Sequence, residues 1–301
     1  MSARAIPASW LDEGLAMADA AAEDAAGHGT VVRWVDARWA AAVEPRRGVR
    51  LIEKRDFVGG EADADIWLII APETDGCLRR TAERFRGQHR RVVVADDDFI
   101  RVASSKRKTD VWLRGYGIPA VESLGRDSRY AGPVVSKPDD GCGGDGLRRH
   151  ASLRDVGDDA WDAGRIVQRR IDGLTASAAV VSGPGRRGCT PPMRTIYRDG
   201  VFEGASPMQG PDAAVLEQLT RRIAPRVPPA AGWVGVDYIR DGDDADDWKV
   251  LEINPRMTTT YVSLRRTRPD PLWSVWFADG SAGGAGRSAG GAGRSAGGAD
   301  C

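Results

Sequence analysis

The stretch 249–264, KVLEINPRMTTTYVSL, decides how this chain is read. Val250, Leu251 and Ile253 ask for a core, yet Glu252, Asn254 and Arg256 are set among and after them. Side chains of a strand point alternately to its two faces. Glu252, Asn254 and Arg256 therefore share one face, and Leu251, Ile253 and Pro255 the other. Upstream, GWVGVDYIR (232–240) is a second apolar run that ends in an acidic turn. Folding the two as a hairpin about residues 242–247 sets Asp237 opposite Glu252. Opposed residues have Cβ atoms about 4.5 to 5.5 Å apart, where like charges destabilise a sheet. Two readings follow: the solvated outer face of an amphipathic strand, or carboxylates gathered around a cation. Oxygen ligands from Asp, Glu and Asn suit Mg²⁺ or Mn²⁺, not zinc. The pairing depends on register, because a slip of one residue turns Asp237 to the wrong face.

A second signal is VVSKPDDGCGGDGL (134–147). An apolar run delivers Lys137 to a loop holding Gly141, Gly143, Gly144 and Gly146. Glycine lets backbone N–H groups come close to phosphate oxygens, and lysine adds a point charge to the same phosphates. No GK[ST] closes the loop as in a Walker A motif, and no acidic residue follows at the spacing of a dinucleotide fold. Alone, such a turn is usually a hairpin. Mg²⁺ is commonly held by one or two carboxylates plus substrate phosphates, so the oxygen face about 100 residues later gives the turn a partner. In RIVQRRIDG (165–173), alternation puts Ile166, Gln168 and Arg170 on one face, where a hinge strand with free backbone groups could read a base edge.

The 301 residues suffice for one compact enzyme of two or three subdomains. Lys plus Arg and Asp plus Glu both number 43, which gives no support to nucleic-acid binding. No stretch approaches the roughly 18 apolar residues of a membrane span, and the N-terminal residues are too polar for a signal peptide. Four scattered cysteines and three histidines show no CxxC or HxxxH spacing. A zinc site is not expected, and a reduced, cytoplasmic setting is.

Along the chain, a helix is expected over 10–26, strands at 30–35, within the apolar run of 63–76, and at 91–95, and a helix over 77–87. This alternation predicts a small doubly wound α/β domain over 1–98. The stretch 104–123 then reads as a capped helix stopped by Gly117 and Pro119. Next come a strand–loop–strand (132–149), a strand–turn–strand (164–181), a helix (211–227) buried through Val215, Leu216, Leu219 and Ile223, and the hairpin. This second part, 99–278, reads as α+β. Residues 279–301 repeat SAGGAGR with no apolar side chain larger than alanine, so nothing offsets the cost of ordering, and a flexible tail is expected.

In this order the motifs resemble the ATP-grasp superfamily over roughly 100–266, and within it the carboxylate–amine ligases. The resemblance implies a pre-grasp α/β domain followed by a two-lobed ATP-grasp domain with ATP between the lobes. It implies that Lys106, matched by its distance to Pro119, and Lys137 bind phosphates together with Gly141, Gly143 and Gly144. Gln168, Arg169 and Ile171 would hold the adenine, Asp237, Glu252 and Asn254 the Mg²⁺ or Mn²⁺, and Arg256 would face an acyl phosphate. IAPETDG, SSKRKTDVWLRGYGIP, QRRIDGLTASAAVV and above all NPRMTTTYV are further similar to ligases joining glutamate to tyramine in methanofuran biosynthesis. Glutamate and an amine are then the small-molecule partners, and a homodimer is open to the chain. In CTPPMRTIY (189–197) two prolines stand where a regular strand bearing substrate contacts is expected, which leaves the acceptor amine and any part for Arg194 open. ATP-grasp chemistry with another dipeptide or glutamate-tail product, or a nucleotide-binding protein without catalysis, are the rival readings.

Overall fold

The structure is a computed structural model that describes residues 8–54, 64–88, 91–141, 144–162, 164–198, 201–228, 230 and 232–267. Gly143 and the 279–301 tail lie outside these residues.

The chain opens with α1 (Ala8–Ala26), β1 (Val31–Asp36) and β2 (Val49–Lys54). Then come β3 (Ile66–Leu68), α2 (Cys77–Arg86), β4 (Arg91–Val93) and α3 (Asp97–Ala103). Among the described residues this part is not one doubly wound sheet. It holds two separate parallel pairs, β1 with β2 and β3 with β4. β3 and β4 span only three residues each, one more bond from the Ile69 amide to the Val93 carbonyl extends their pairing, and the chain then leaves the sheet.

Two sheets follow. The smaller holds β5 (Val134–Pro138), β6 (Arg148–His150) and β7 (Arg165–Arg169) in the order β6-β5-β7, and is preceded by α4 (Lys106–Gly115), which packs on α3 and the later strand 248–254. Ser105 caps α4 by accepting from the Lys108 amide. The larger sheet holds β8 (Thr175–Gly183), β9 (Arg186–Cys189), β10 (Met193–Arg198), β11 (Val201–Pro207), β12 (Gly232–Arg240) and β13 (Trp248–Asn254). Its order is β11-β10-β8-β12-β13, with β9 also on β8. Thr190, Pro191 and Pro192 separate β9 from β10, so the prolines stand at the break between two strands that pair with β8 and remove no bond from a strand interior. The chain passes from the small sheet to the large one at Gly173, where a Cβ would lie 1.9 Å from the Arg240 carbonyl oxygen.

One face of the large sheet carries Ala176, Ala178, Val180, Val234, Val236 and Tyr238 against α5 (Gly210–Ile223), which buries Leu216, Leu219 and Ile223 as its spacing predicts. The Tyr238 hydroxyl is shared with Thr220 Oγ1 at 2.7 Å, so this buried phenol is satisfied. The opposite face packs Ala179, Val181, Met193 and Trp233 against Met17 of α1 and against Met257 and Tyr261. Tyr261 lies in α6 (Thr260–Leu264), and it and Arg265 both bond Asp24 of α1. The first helix is thereby fastened beside the C-terminal end of β13.

Candidate active site

The hairpin register is the one the sequence predicts: Asp237 pairs with Glu252 and Gly235 with Asn254. Asn254 Nδ2 donates to Asp237 Oδ2 at 2.8 Å. Gly235 is required beside them, since a Cβ there would lie 2.4 Å from Thr258 Cγ2. The threonine-rich run after Arg256 thus closes over the hairpin.

Strict alternation fails at one residue. Tyr238 pairs with Val250, not Leu251, so Leu251 is a bulge. Bulged residues leave the two-residue alternation. Val250 and Ile253 both enter the core on the side of α3 and α4, while Leu251 and Glu252 line one narrow pocket with Val121, Gln168 and Lys106. Leu251, expected on the face away from Glu252, is on the same side as it.

Lys137 reaches this region from β5. It pairs with Ile166, and Val135 with Gln168, so the lysine and Gln168 share a face of the small sheet. Gln168 is 2% exposed; its Nε2 donates to the Val121 carbonyl at 3.1 Å, and its Oε1 is buried without a partner among the described residues. Lys106 Nζ donates to the Gly141 carbonyl at 2.9 Å, which holds the glycine loop over the start of α4. Gly141 has φ 119° and Gly144 φ 70°, backbone conformations that favour glycine.

Arg169 faces the other way. Its guanidinium lies 5.2 Å from the Tyr130 ring centroid and pairs with Asp241 at 3.2 Å, so only its backbone can serve the pocket. Ile171 is half-buried in the crossing between sheets. Arg194 pairs with Ala176, on the α5 side of the large sheet, and is exposed; it is not brought to Asp237.

Arg256 lies just beyond β13. Its Nε donates to Glu73 Oε2 at 2.9 Å and its Nη1 to the Met257 carbonyl at 3.0 Å. Glu73 comes from the turn after β3, the APETDG segment. The Asp75 amide in that turn donates to Asp140 Oδ2 at 3.0 Å, joining it to the glycine loop. Neither Glu73 nor Glu13 of α1, which lies within electrostatic reach of Arg256, is singled out by sequence reasoning.

The charges respond to one another. Burial first, and Glu252 second, hold Asp237 well above the usual carboxylate range. Burial acts in the same direction on Glu252, but Lys106, Lys137 and Arg256 outweigh it and bring that carboxyl below its usual value. Burial lowers Lys137 to about 8, against the opposing pull of Glu252. Two carboxylates and an amide held in contact, one carboxyl resisting ionisation beside the other, form a donor set that fits Mg²⁺ or Mn²⁺. Lys137 gives a pH test. Bound phosphates favour its charged form, so nucleotide binding should take up a proton above pH about 8, where the empty site has lost it. Affinity should weaken as pH rises through that value, and Lys137→Arg should abolish the dependence. Calorimetry in buffers of different ionisation heat measures both.

A broader cavity of about 600 Å³ lies elsewhere, between β9 and the end of α5, lined by Arg187, Cys189, Thr190, Glu217 and Arg221. It contains none of the residues above.

A family model described as ATP-grasp domain matches residues 103–260, more than half of the chain. No curated protein matches the sequence. Among solved structures, an ATP-grasp superfamily protein from Archaeoglobus fulgidus is similar at TM-score 0.71 and 21% identity, over 90% of this chain and 83% of that one. The β,γ-ATP complex of biotin carboxylase from Campylobacter jejuni is similar at TM-score 0.65 and 13% identity, over 86% and 68%. D-alanyl-alanine synthetase A from Vibrio cholerae gives TM-score 0.54 and 10% identity, over 66% and 69%.

Proposed function

The chain belongs to the ATP-grasp domain family, and from that membership we propose that it is an ATP-dependent ligase that joins a carboxylate to an amine through an acyl phosphate. The observation that carries the reading is that Asp237 and Asn254 meet Glu252, whose carboxyl feels Lys106, Lys137 and Arg256, beside the pocket that Lys106 and Glu252 line. The adenine lies against Leu251, with Gln168 Oε1 accepting from its amino group; a buried acceptor without a partner needs such a donor. Lys106, Lys137 and the amides of the glycine loop hold the phosphates. Mg²⁺ or Mn²⁺ bound by Asp237, Glu252 and Asn254 would supply charge neutralisation at the phosphate oxygens.

The protein contributes position and charge and no nucleophile of its own. A substrate carboxylate oxygen takes the γ-phosphoryl group, the P–O bond to the β-phosphate breaks, and ADP is left. The amine nitrogen then attacks the acyl carbon. The C–N bond forms, the C–O bond to phosphate breaks, and phosphate leaves with the electron pair, while the nitrogen sheds its surplus protons to phosphate and solvent. Arg256 faces the charge that gathers on the oxygens of this intermediate, where an oriented donor counts most.

We assign the substrates as glutamate and tyramine or a tyrosine-like amine, in methanofuran-type cofactor biosynthesis. The NPRMTTTYV run supports this, as does an aromatic pair on β10 and β11, Tyr197 and Phe202, at 5.7 Å between centroids, with Tyr197 51% exposed and within electrostatic reach of Asp237 and Glu252. The division into 1–98 and 99–278, a cytoplasmic setting and a possible homodimer belong to the same proposal; no described helix is long and apolar enough to cross a membrane. The test is incubation with Mg²⁺, ATP and glutamate, with tyramine or hydroxylamine as nucleophile. Glutamate-dependent ADP release with the amide or the hydroxamate as product is expected. ADP release that no carboxylate stimulates sinks the proposal.

A further inference from the structure

Glu73 is 4% exposed, and its two oxygens are treated differently. Oε2 accepts from Arg256 Nε, while Oε1 is buried with no hydrogen-bond partner among the described residues. A buried carboxylate satisfied on one side only is costly, and the usual remedy is a second cationic or N–H donor. Arg256 could have met both oxygens with its fork; it engages one through Nε and turns Nη1 to the Met257 carbonyl. The place of Glu73 is also specific. Its turn is bonded to the glycine loop through the Asp75 amide, and the next residue, Thr74, lies against Gly141, where a Cβ would stand 3.7 Å from Thr74 Oγ1. Glu73 therefore stands between the loop that takes the phosphates and the arginine that faces the acyl group.

A second carboxylate approaches from another element. Glu13 and Met17 are four residues apart on α1 and so share a face. Met17 is buried in the cluster that contains Met257, the neighbour of Arg256. Glu13 itself is half-buried. Neither carboxylate is a proposed metal ligand, and neither is used by the phosphates.

We infer that Glu73 Oε1, with Glu13 adding negative potential near Arg256, forms the subsite that receives the amine substrate as its ammonium, which gives one proton to solvent before its freed lone pair attacks the acyl carbon. This rests on the ligase reading above and extends it: the nucleophile is selected by its positive charge, and residues before the ATP-grasp domain select it. Glu73 both binds substrate and orients Arg256. Glu13 is a positioning residue that adds negative potential.

The test compares two nucleophiles in the full-length protein. Tyramine is cationic near neutral pH, and hydroxylamine is mostly neutral there. In Glu73→Gln the amide oxygen can still accept from Arg256, but the charge that holds an ammonium is gone. KM for tyramine should rise roughly ten- to hundredfold, the scale of one charge-assisted hydrogen bond, while KM for hydroxylamine changes at least tenfold less. Glu13→Gln should shift the same ratio in the same direction by a few-fold, and it serves if Glu73→Gln fails to fold. Equal losses with both nucleophiles would mean that Glu73 serves only to orient Arg256, and would overturn the inference. Wild-type protein that makes hydroxamate but is stimulated by neither tyramine nor a simple alkylammonium would also overturn it, leaving the ligase reading in place. Absence of hydroxamate and of ADP release with any carboxylate overturns the ligase reading and this inference with it.

Discussion

Asp237→Ala and Glu252→Ala should each lower ATP-driven amide formation by about 10³ or more while the fold persists. The loss is that of a preorganised charge centre at the reacting phosphate, where a single donor already counts for about 10² to 10³. The two residues face each other across the hairpin, with Asn254 bonded to Asp237, so neither can replace the other. Stability should move the opposite way. The folded-state pKa of Asp237 lies above its ordinary value, chiefly through burial and then through Glu252. A carboxyl raised in this way stabilises the fold below its unfolded pKa, and that contribution is lost as pH rises through the folded one. The empty protein therefore carries a penalty at neutral pH that Asp237→Asn removes. The Tm of this variant should meet or exceed that of wild type, and the gap should widen as pH climbs from the carboxylate range towards neutral. Mg²⁺ should raise the Tm of the wild type and leave that of the variant unmoved. Thermal melts across pH, with and without Mg²⁺, check the stability arm, and coupled ADP release checks turnover. Normal Mg²⁺-dependent turnover in either alanine variant would remove the metal assignment.

Arg256→Lys should keep nucleotide affinity within a few-fold and lower turnover by roughly 10² or more. The guanidinium is anchored at two points, Glu73 and the Met257 carbonyl, both beyond the last proposed metal ligand. A lysine keeps the charge but cannot reproduce the planar fork, and its three rotatable donors lose the fixed aim. Lys137→Ala should behave inversely and weaken nucleotide binding itself, since this buried lysine shares its face with Gln168. Equilibrium titration and steady-state rates on both variants separate the roles. Poor nucleotide binding by Arg256→Lys with tight binding by Lys137→Ala would reverse them.

The hairpin was legible because charge and period coincide there. Two apolar runs flank one short acidic turn, and only one register sets a carboxylate opposite a carboxylate. The glycine loop and the capped helix at Ser105 were legible for a similar reason, since each rests on local backbone chemistry. Glu73 was hidden for a different reason. Its partner Arg256 is 183 residues away, and an acidic residue in a polar turn carries no periodic signal. Glu13 was masked by its surroundings, an alanine-rich helix whose one informative feature is the spacing to Met17. β2, the partner of the expected β1, and the short α3 have no sequence signal, the first because VRLIEK (49–54) alternates too weakly to separate from a loop. Within the hinge segment Gln168 faces the pocket, and alternation sends the Arg169 side chain to Tyr130 and Asp241, leaving its backbone to the pocket.

The bulge at Leu251 has a consequence for how the gene could change over time. Before it, the strand counts from Trp248 and Val250; after it, from Glu252. The two counts are out of phase by one residue. An added or lost codon in the acidic turn at 241–247 alters only the length of a surface crossing and leaves both counts intact. Loss of the codon for Leu251 would bring the counts into step and leave Glu252 opposite Asp237, whereas a codon added between Val250 and Glu252 would carry Glu252 past Asp237. The bulge is therefore not needed to aim Glu252; what it adds is the side chain of Leu251 on the pocket side of the strand, beside Val121 and Gln168.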